Sequence, residues 1–531
     1  MNVLICDPIS PKGIALFQQR PEFKVTVLEK RLTEAELLPL VADVEAMVVR
    51  SETKISKKVL EAATKLKVVG RAGVGVDNVD VEAATQRGVV VMNTPAGNTI
   101  TTAELTFFML GALARKIPQA HGSMAAGKWD RKLFSGSEIF GKTLGVLGMG
   151  RIGGEVAKRA LAFGMRVVAY DPFLTEARAR ALGVELVGDV DGVYRVADFI
   201  TVHMPVTEQT RQMLNADAFA KMKPGVRIVN CARGEIIHET DLLAALDSGK
   251  VAGAALDVFT VEPLPADHAL RKHAKVIMTP HLGASTEEAQ EKCGIEVAEV
   301  IASYLLTGEV RNAVNLPYLD AKTYEQVKPY LILGEKLGKL LAQLSPAQTD
   351  RIYITYGGNA RELPNIDPIT RSILQGFLSS SASKDVNNVN VRSAAAAIGI
   401  TVEEKRSDEP VTFNEWLHVS VHSGDTKVSA GGTFFGSPNN PRIVRVFSQP
   451  VEIIPQGVLM MFHNNDRPGI VGHIGTLLGK HKVNIANMSL SRDKVGGQAL
   501  TVLGLDSIPP QSLLDEVKKD PDITNVHIVT L

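Results

Sequence analysis

Residues 143–173 read TLGVLGMGRIGGEVAKRALAFGMRVVAYDPF, and the spacing of three glycines in that run decides the fold. Gly148, Gly150 and Gly153 stand in G-x-G-x-x-G register, directly after a strand-like apolar run and at the head of an amphipathic segment. A second apolar run ends in Asp171, 18 residues beyond Gly153. Each glycine has a mechanical task. Gly148 permits a tight turn, Gly150 lets the backbone approach a pyrophosphate, and Gly153 lets helix and strand pack closely. The helix start at Gly150, Arg151 and Ile152 offers amide donors and a partial positive charge to the phosphates. Asp171 would accept hydrogen bonds from the ribose hydroxyls of NAD and repel the 2′-phosphate of NADP. The stretch predicts a βαβ dinucleotide site with NAD as its cofactor.

The same design extends in both directions. Downstream, ADFITVH, GVRIVN, AGAALDV and KVIMTP continue the alternation, and TEEAQEKCGIEVAEVIASYLLTGE closes it as a long helix. Upstream, NVLICD, KVTVLE, AMVVRS, LKVVGRAG and GVVVMN alternate with amphipathic segments, a second set of βαβ units. A helical stretch is expected from about Thr101 to Met124. Past Val314–Pro317 the pattern changes to mixed strands and helices, with a Ser- and Asn-rich turn at SSSASKDVNNVNV (379–391). From about Gly457 the order β-α-β-β-α-β fits in about 75 residues, the ferredoxin-like split βαβ. The expected class is therefore α/β. Two doubly wound parallel-sheet lobes are followed by an α+β intervening domain (318–453) and a ferredoxin-like domain (457–531).

Bulk composition excludes several functions. The 531 residues carry 58 basic and 58 acidic side chains, which argues against nucleic acid or a polybasic membrane contact as the main partner. Three scattered cysteines, Cys6, Cys231 and Cys293, make neither a disulfide framework nor a zinc site, and no metal is expected. MNVLICDP reads as a first strand rather than a signal peptide. The run LTFFMLGALA is about half the length that spans a bilayer. A soluble, cytoplasmic protein is expected.

Three ionisable residues end successive strand–loop units after the glycine-rich turn: Arg233 in VNCARGEII, Glu262 in DVFTVEPLP and His281 in IMTPHLGAS. In an open parallel sheet, ligands lie beyond the carboxyl ends of the strands, so the three should share one crevice. Arginine offers a bidentate fork for a carboxylate. Histidine suits proton transfer near neutral pH. A glutamate on its second ring nitrogen would fix the tautomer and stabilise the imidazolium. Together they suit transfer between NAD and a 2-hydroxy acid.

GRAGVGVDNVD, the glycine-rich turn, VNCARGEII, ALDVFTVEP and TPHLGAST together resemble the D-isomer-specific 2-hydroxyacid dehydrogenases over residues 1–315. The resemblance implies that Arg233 binds the substrate carboxylate, His281 is the acid/base and Glu262 its partner. Asp257 would stand at the nicotinamide end of the cofactor, with Cys231, Ala232 and Gly283 also bordering it. It further implies that residues 1–97 and 286–317 form a substrate lobe into which the NAD lobe (98–285) is inserted.

Over its whole length the chain resembles the long members of that family, which oxidise 3-phosphoglycerate in the first step of L-serine synthesis. A phosphorylated substrate needs further cations. Arg50 with Ser51 in VVRSET and Arg71 in GRAG are candidates, with Asn78 and the Val74–Gly75 backbone beside them. Arg131 and Lys132 in GKWDRKLFSG would reach a neighbouring subunit. HNNDRPGIVGHIGTLLGKHKVNIANMSL (463–490) resembles an ACT domain, in which Asn464, Asp466 and Asn484 match L-serine contacts. The 318–453 segment resembles an allosteric substrate-binding domain, where Arg442 is an anion candidate. A homo-oligomer, a tetramer by family resemblance, is implied. Glyoxylate or hydroxypyruvate reductases, 2-oxoglutarate-reducing relatives and NADH-sensing scaffolds share the triad. The phosphate cations and appended domains favour the phosphoglycerate branch.

Overall fold

The computed structural model describes residues 1–317, 321–346, 348–379, 386–409 and 415–531. Part of the expected Ser- and Asn-rich turn, 380–385, and the boundary expected at 318 lie outside them.

The first lobe is a five-stranded parallel sheet in spatial order Lys24–Val27, Asn2–Ile5, Ala46–Val49, Val68–Arg71, Val90–Asn93. Runs such as Ala46–Val49 are buried throughout, because helices cover both faces of a parallel sheet. One covering helix is Glu287–Thr307, whose Val297 and Ile301 share a core with Val3, Ile5 and Val68. The chain thus returns to its first lobe after completing its second.

The second lobe is a seven-stranded parallel sheet, in order Val276–Met278, Val251–Leu256, Val226–Asn230, Phe199–Val202, Thr143–Leu147, Arg166–Tyr170, Glu185–Leu186. Strand order reverses between Thr143–Leu147 and Phe199–Val202, which opens a crevice at their carboxyl ends. The helical stretch expected over 101–124 is two helices, Thr99–Arg115 and Ile117–Ala125, with Lys116 between them at φ 53°. Pro118 is the cause. Inside a continuous helix its ring would press on the Ala114 carbonyl, whereas in the first turn of a new helix it is tolerated. The Ala114 oxygen accepts from Ser137 N at 2.9 Å instead.

Beyond 320, helices Ala321–Leu344 and Asp367–Leu378 pack on one face of a six-stranded sheet. A plug from this domain seats on the first lobe. Asn387 Nδ2 donates to Gly88 O at 2.9 Å, Asn390 Nδ2 to Gln86 O at 3.3 Å, and Val389 joins the first lobe's core. The last unit follows the expected β-α-β-β-α-β order from Val458–Asn465 to Ile523–Thr530, in one antiparallel sheet. Met460 and Phe462 face its helices, while Leu459 and Met461 enter the intervening domain's core, the alternation that a strand buried on both faces requires. No helix among the described residues is long and apolar enough to cross a membrane.

Candidate active site

The glycine-rich turn forms an open cradle. Gly148 lies at φ 96°, a conformation that L side chains rarely adopt. A Cβ on Gly153 would collide with the Gly148 carbonyl, whereas one on Gly150 would meet nothing within 4 Å. The backbone at Gly150 therefore faces open space at the start of helix Arg151–Ala162, as a bound pyrophosphate requires. Asp171 lies against this turn: one oxygen accepts from Met149 N at 2.7 Å and the other from Phe173 N at 2.7 Å. Arg151 is exposed, and Ile152 packs on the lobe's core. These residues fit a dinucleotide. Cys231 does not offer its side chain to it: the thiol is buried beside Met109 Sδ, and burial pushes it up to about 12.

The fold brings His281 and Glu262 together. His281 Nδ1 lies 2.7 Å from Glu262 Oε2, while Glu262 Oε1 accepts from Phe259 N at 3.0 Å. Burial pushes the Glu262 carboxyl up. The His281 hydrogen bond, the Phe259 amide and the charges of His281 and Arg233 outweigh it and hold the carboxyl below its ordinary value. An ionised Glu262 accepts, so Nδ1 carries the proton and Nε2 is left for substrate. His281 sits at φ 57°, a strained position for any side chain, and histidine is among the residues that tolerate it best. Asp257 holds this loop in place. Fully buried, it accepts from Thr279 Oγ1 at 2.6 Å, Leu282 N at 2.7 Å and Gly283 N at 2.9 Å. Burial nonetheless raises its carboxyl above the ordinary value. The residue matched to the nicotinamide end thus clamps the loop that carries His281.

A test of the pair follows from its sign. As a base, His281 must be neutral, and Glu262 stabilises its charged form. Glu262→Gln removes that stabilisation, so the acidic limb of the kcat/KM profile for alcohol oxidation moves to lower pH, with a smaller kcat. An unmoved limb would leave Glu262 with a structural part only.

Three guanidinium groups converge on the crevice. Burial, with the charges of Arg233 and Arg50 acting in the same direction, pulls Arg71 down to about 10. Its Nε is buried with no hydrogen-bond partner among the described residues. Arg50 is set by Asp7, whose Oδ2 accepts from Arg50 N at 2.6 Å, and a small cavity beside it also touches Gln290 and Cys293. Ser51 is exposed on the same loop. Asn78 is occupied elsewhere: its Nδ2 donates to Arg50 O at 2.7 Å and Thr53 O at 2.6 Å, tying the loops together. Val74 O accepts from Asn93 Nδ2 at 2.6 Å, and a Cβ on Gly75 would collide with Arg233 Nη2. Arg233 itself is aimed by Asn230, which receives Ala232 N at 3.0 Å and donates to Arg233 O at 2.8 Å.

Sequence reasoning missed three polar residues and one role here. They are Asp77, which pairs with Arg233 at 2.9 Å; the clamp role of Asp257; Asn230; and Asn98, whose buried Oδ1 has no partner among the described residues. Asp77 lies within a stretch already quoted, but nothing local marks it over Asn78. Arg131 is exposed on Arg131–Phe134 and has no partner among the described residues.

The three effector candidates do not meet within one chain. Asn464 is buried and accepts from Thr501 Oγ1 at 2.7 Å. It pairs opposite Ala499, whereas Asn484 immediately precedes Ile485, opposite Leu505. At about 3.3 Å per residue those levels are roughly 20 Å apart along the sheet. Asp466 shares the Asn464 end, bound to Arg492 Nη1 at 2.8 Å. Arg442 hydrogen-bonds Asn440 Oδ1 at 2.5 Å and lies over the Phe435 ring.

Three family models match the chain. The NAD-binding domain of D-isomer-specific 2-hydroxyacid dehydrogenases covers residues 107–283, the D-3-phosphoglycerate dehydrogenase intervening domain 326–447, and the ACT domain 458–522. Among curated proteins, a D-3-phosphoglycerate dehydrogenase of Synechocystis is 42% identical over 100% of this chain and 95% of that one. One of Methanocaldococcus jannaschii is 41% identical over the whole of both. A crystal structure of a Thermus thermophilus protein superposes with a TM-score of 0.55 at 35% identity, covering 59% of this chain and 100% of that one.

Proposed function

The chain belongs to the D-isomer-specific 2-hydroxyacid dehydrogenase family, in its D-3-phosphoglycerate dehydrogenase branch, and from that premise we infer how its own residues carry the reaction. It is an NAD-dependent oxidoreductase that converts 3-phospho-D-glycerate to 3-phosphohydroxypyruvate, opening L-serine synthesis. The observation that carries this assignment is the crevice in which Arg233, Arg71 and Arg50 stand with the His281–Glu262 pair. NAD, when bound, supplies the hydride acceptor. Arg233 holds the substrate carboxylate and sets the 2-hydroxyl toward His281. His281 Nε2 takes the hydroxyl proton as C2 is oxidised, and Glu262 steadies the resulting imidazolium through Nδ1. Arg50 and Arg71 take the phosphate, since two fixed cations suit a dianion that one cannot neutralise.

Steady-state assays with 3-phosphoglycerate, glycerate and lactate test the assignment. Phosphoglycerate is expected to have the highest kcat/KM. Arg50→Ala should raise KM for 3-phosphoglycerate and leave that for glycerate nearly unchanged. Equal losses on both would show that Arg50 does not read the phosphate.

The lobes divide, in this reading, at residues 97, 285 and 317, and the enzyme works in the cytoplasm as a homo-oligomer. Support for association is the apolar surface of segment 108–140, where Phe108, Ile117, Trp129 and Phe140 are exposed. Arg131 and Lys132 on that segment would then lie near a second copy's crevice.

The ACT domain takes a small effector, L-serine in this reading, between two chains. Pairing the exposed edge strands Ile485–Arg492 of two copies antiparallel would bring Asn484 of one toward the Asn464–Asp466 end of the other. An effector acting from there couples distinct sites and should change apparent substrate affinity by roughly 5–150-fold. Calorimetry of L-serine into the full-length protein should show binding that Asn484→Ala abolishes. No heat at millimolar serine would leave the domain to another effector or to assembly alone.

A further inference from the structure

The loop between Val68–Arg71 and the next helix places a carboxylate on the arginine that the substrate needs. One Asp77 oxygen, Oδ2, accepts from Arg233 Nε at 3.0 Å and lies 2.9 Å from Nη2. At the other end of the guanidinium, Nη1 donates to Ala232 O at 2.6 Å. The Nε–Nη2 edge of the fork is thus taken by Asp77. The approach is built in, because Gly75 lacks the Cβ that would strike both Nη2 and Asp77 Oδ2.

We propose that Asp77 is the resident carboxylate of the substrate site, bound to Arg233 in the free enzyme and displaced by the carboxylate of the substrate. This role rests on the assignment of Arg233 to that carboxylate. Three observations support it. Arg233 has a like-charged neighbour in Arg71, which itself stands beside Arg50, so an empty site gains from a local anion. The Asp77 side chain is 69% exposed, so it regains water when it leaves and the exchange costs little. Asp77 also lies on the same short loop as Asn78, whose amide anchors the Arg50 loop, so the carboxylate stays within reach after displacement. The exchange makes Asp77 a positioning residue with a consequence for specificity. A ligand carrying a carboxylate can replace it, whereas a neutral ketone or aldehyde cannot.

The test uses full-length Asp77→Asn and Asp77→Glu, titrated as NADH complexes with oxalate, an unreactive carboxylate. A half-exposed ion pair contributes little, so Asp77→Asn should bind oxalate about 1.5- to fivefold tighter than wild type. KM for 3-phosphoglycerate should fall in the same ratio, with no matching rise in kcat. Asp77→Glu, which keeps the competing charge, should return both toward wild type. Unchanged or weaker oxalate binding in Asp77→Asn would overturn the proposal, because a residue that merely props Arg233 in place must weaken binding when removed. If wild type oxidises no 3-phosphoglycerate, the assigned function fails, and the oxalate titration still decides the role of Asp77.

Discussion

His281→Ala is expected to lower kcat by roughly 10²–10⁴-fold, the usual contribution of a positioned acid–base group, while leaving NAD binding intact. The side chain reaches Glu262 through Nδ1 and has no hydrogen bond to the glycine-rich cradle at 148–153. Its removal therefore strips the proton acceptor from the substrate hydroxyl without touching the phosphate site. The backbone at φ 57° makes the choice of replacement matter. Alanine in that region carries strain of about 1 kcal/mol or more. Asparagine tolerates the conformation, so His281→Asn should show the same kinetic loss with the loop in place. Pre-steady-state oxidation and NADH titration of both variants check this. A kcat within about threefold of wild type in both, far below the loss expected of an acid–base group, would remove His281 from the mechanism.

Arg233→Lys is expected to lower kcat/KM for 3-phosphoglycerate by roughly 10–150-fold, because an ammonium cannot reproduce a planar two-bond contact. Losing one charge-assisted hydrogen bond costs about 1.5–3 kcal/mol, and each 1.4 kcal/mol is about tenfold. The surroundings are shaped for the guanidinium in particular. Asn230 sets the backbone, Gly75 leaves room for Nη2, and a Cβ on Gly234 would collide with the Phe259 carbonyl. Both KM and kcat should suffer, since the carboxylate contact also sets the hydroxyl against His281. Steady-state kinetics in both directions would show it. A rise in KM alone would mean that Arg233 binds substrate without orienting it.

Sequence alone determined the features that depend on short-range order. The G-x-G-x-x-G spacing and Asp171 located the nucleotide turn, because turn, helix start and strand end lie within one βαβ unit. Valine-rich runs such as Ala46–Val49 announced parallel strands, since a strand covered on both faces has no polar side to show. Arg233, Glu262 and His281 were legible because each ends a strand of the same sheet, and topology sends all such ends to one crevice.

The tertiary structure decided what depends on groups distant in the chain. Asp77 and Arg233 are 156 residues apart, and no local pattern tells Asp77 from Asn78; only the packing of one lobe on the other selects the first for the guanidinium. Asp257 and Cys231 were matched to the cofactor, and only the fold shows that the first also holds the 279–283 loop and that the second's thiol is buried with Met109. Asn464 and Asn484 are close in sequence but stand at opposite ends of a sheet, because antiparallel pairing fixes their levels. Hydrophobic period and turn chemistry are written along the chain, so they can be read from it. Which polar group meets which is set by desolvation and close packing between segments, and that exists only once the lobes have closed on each other.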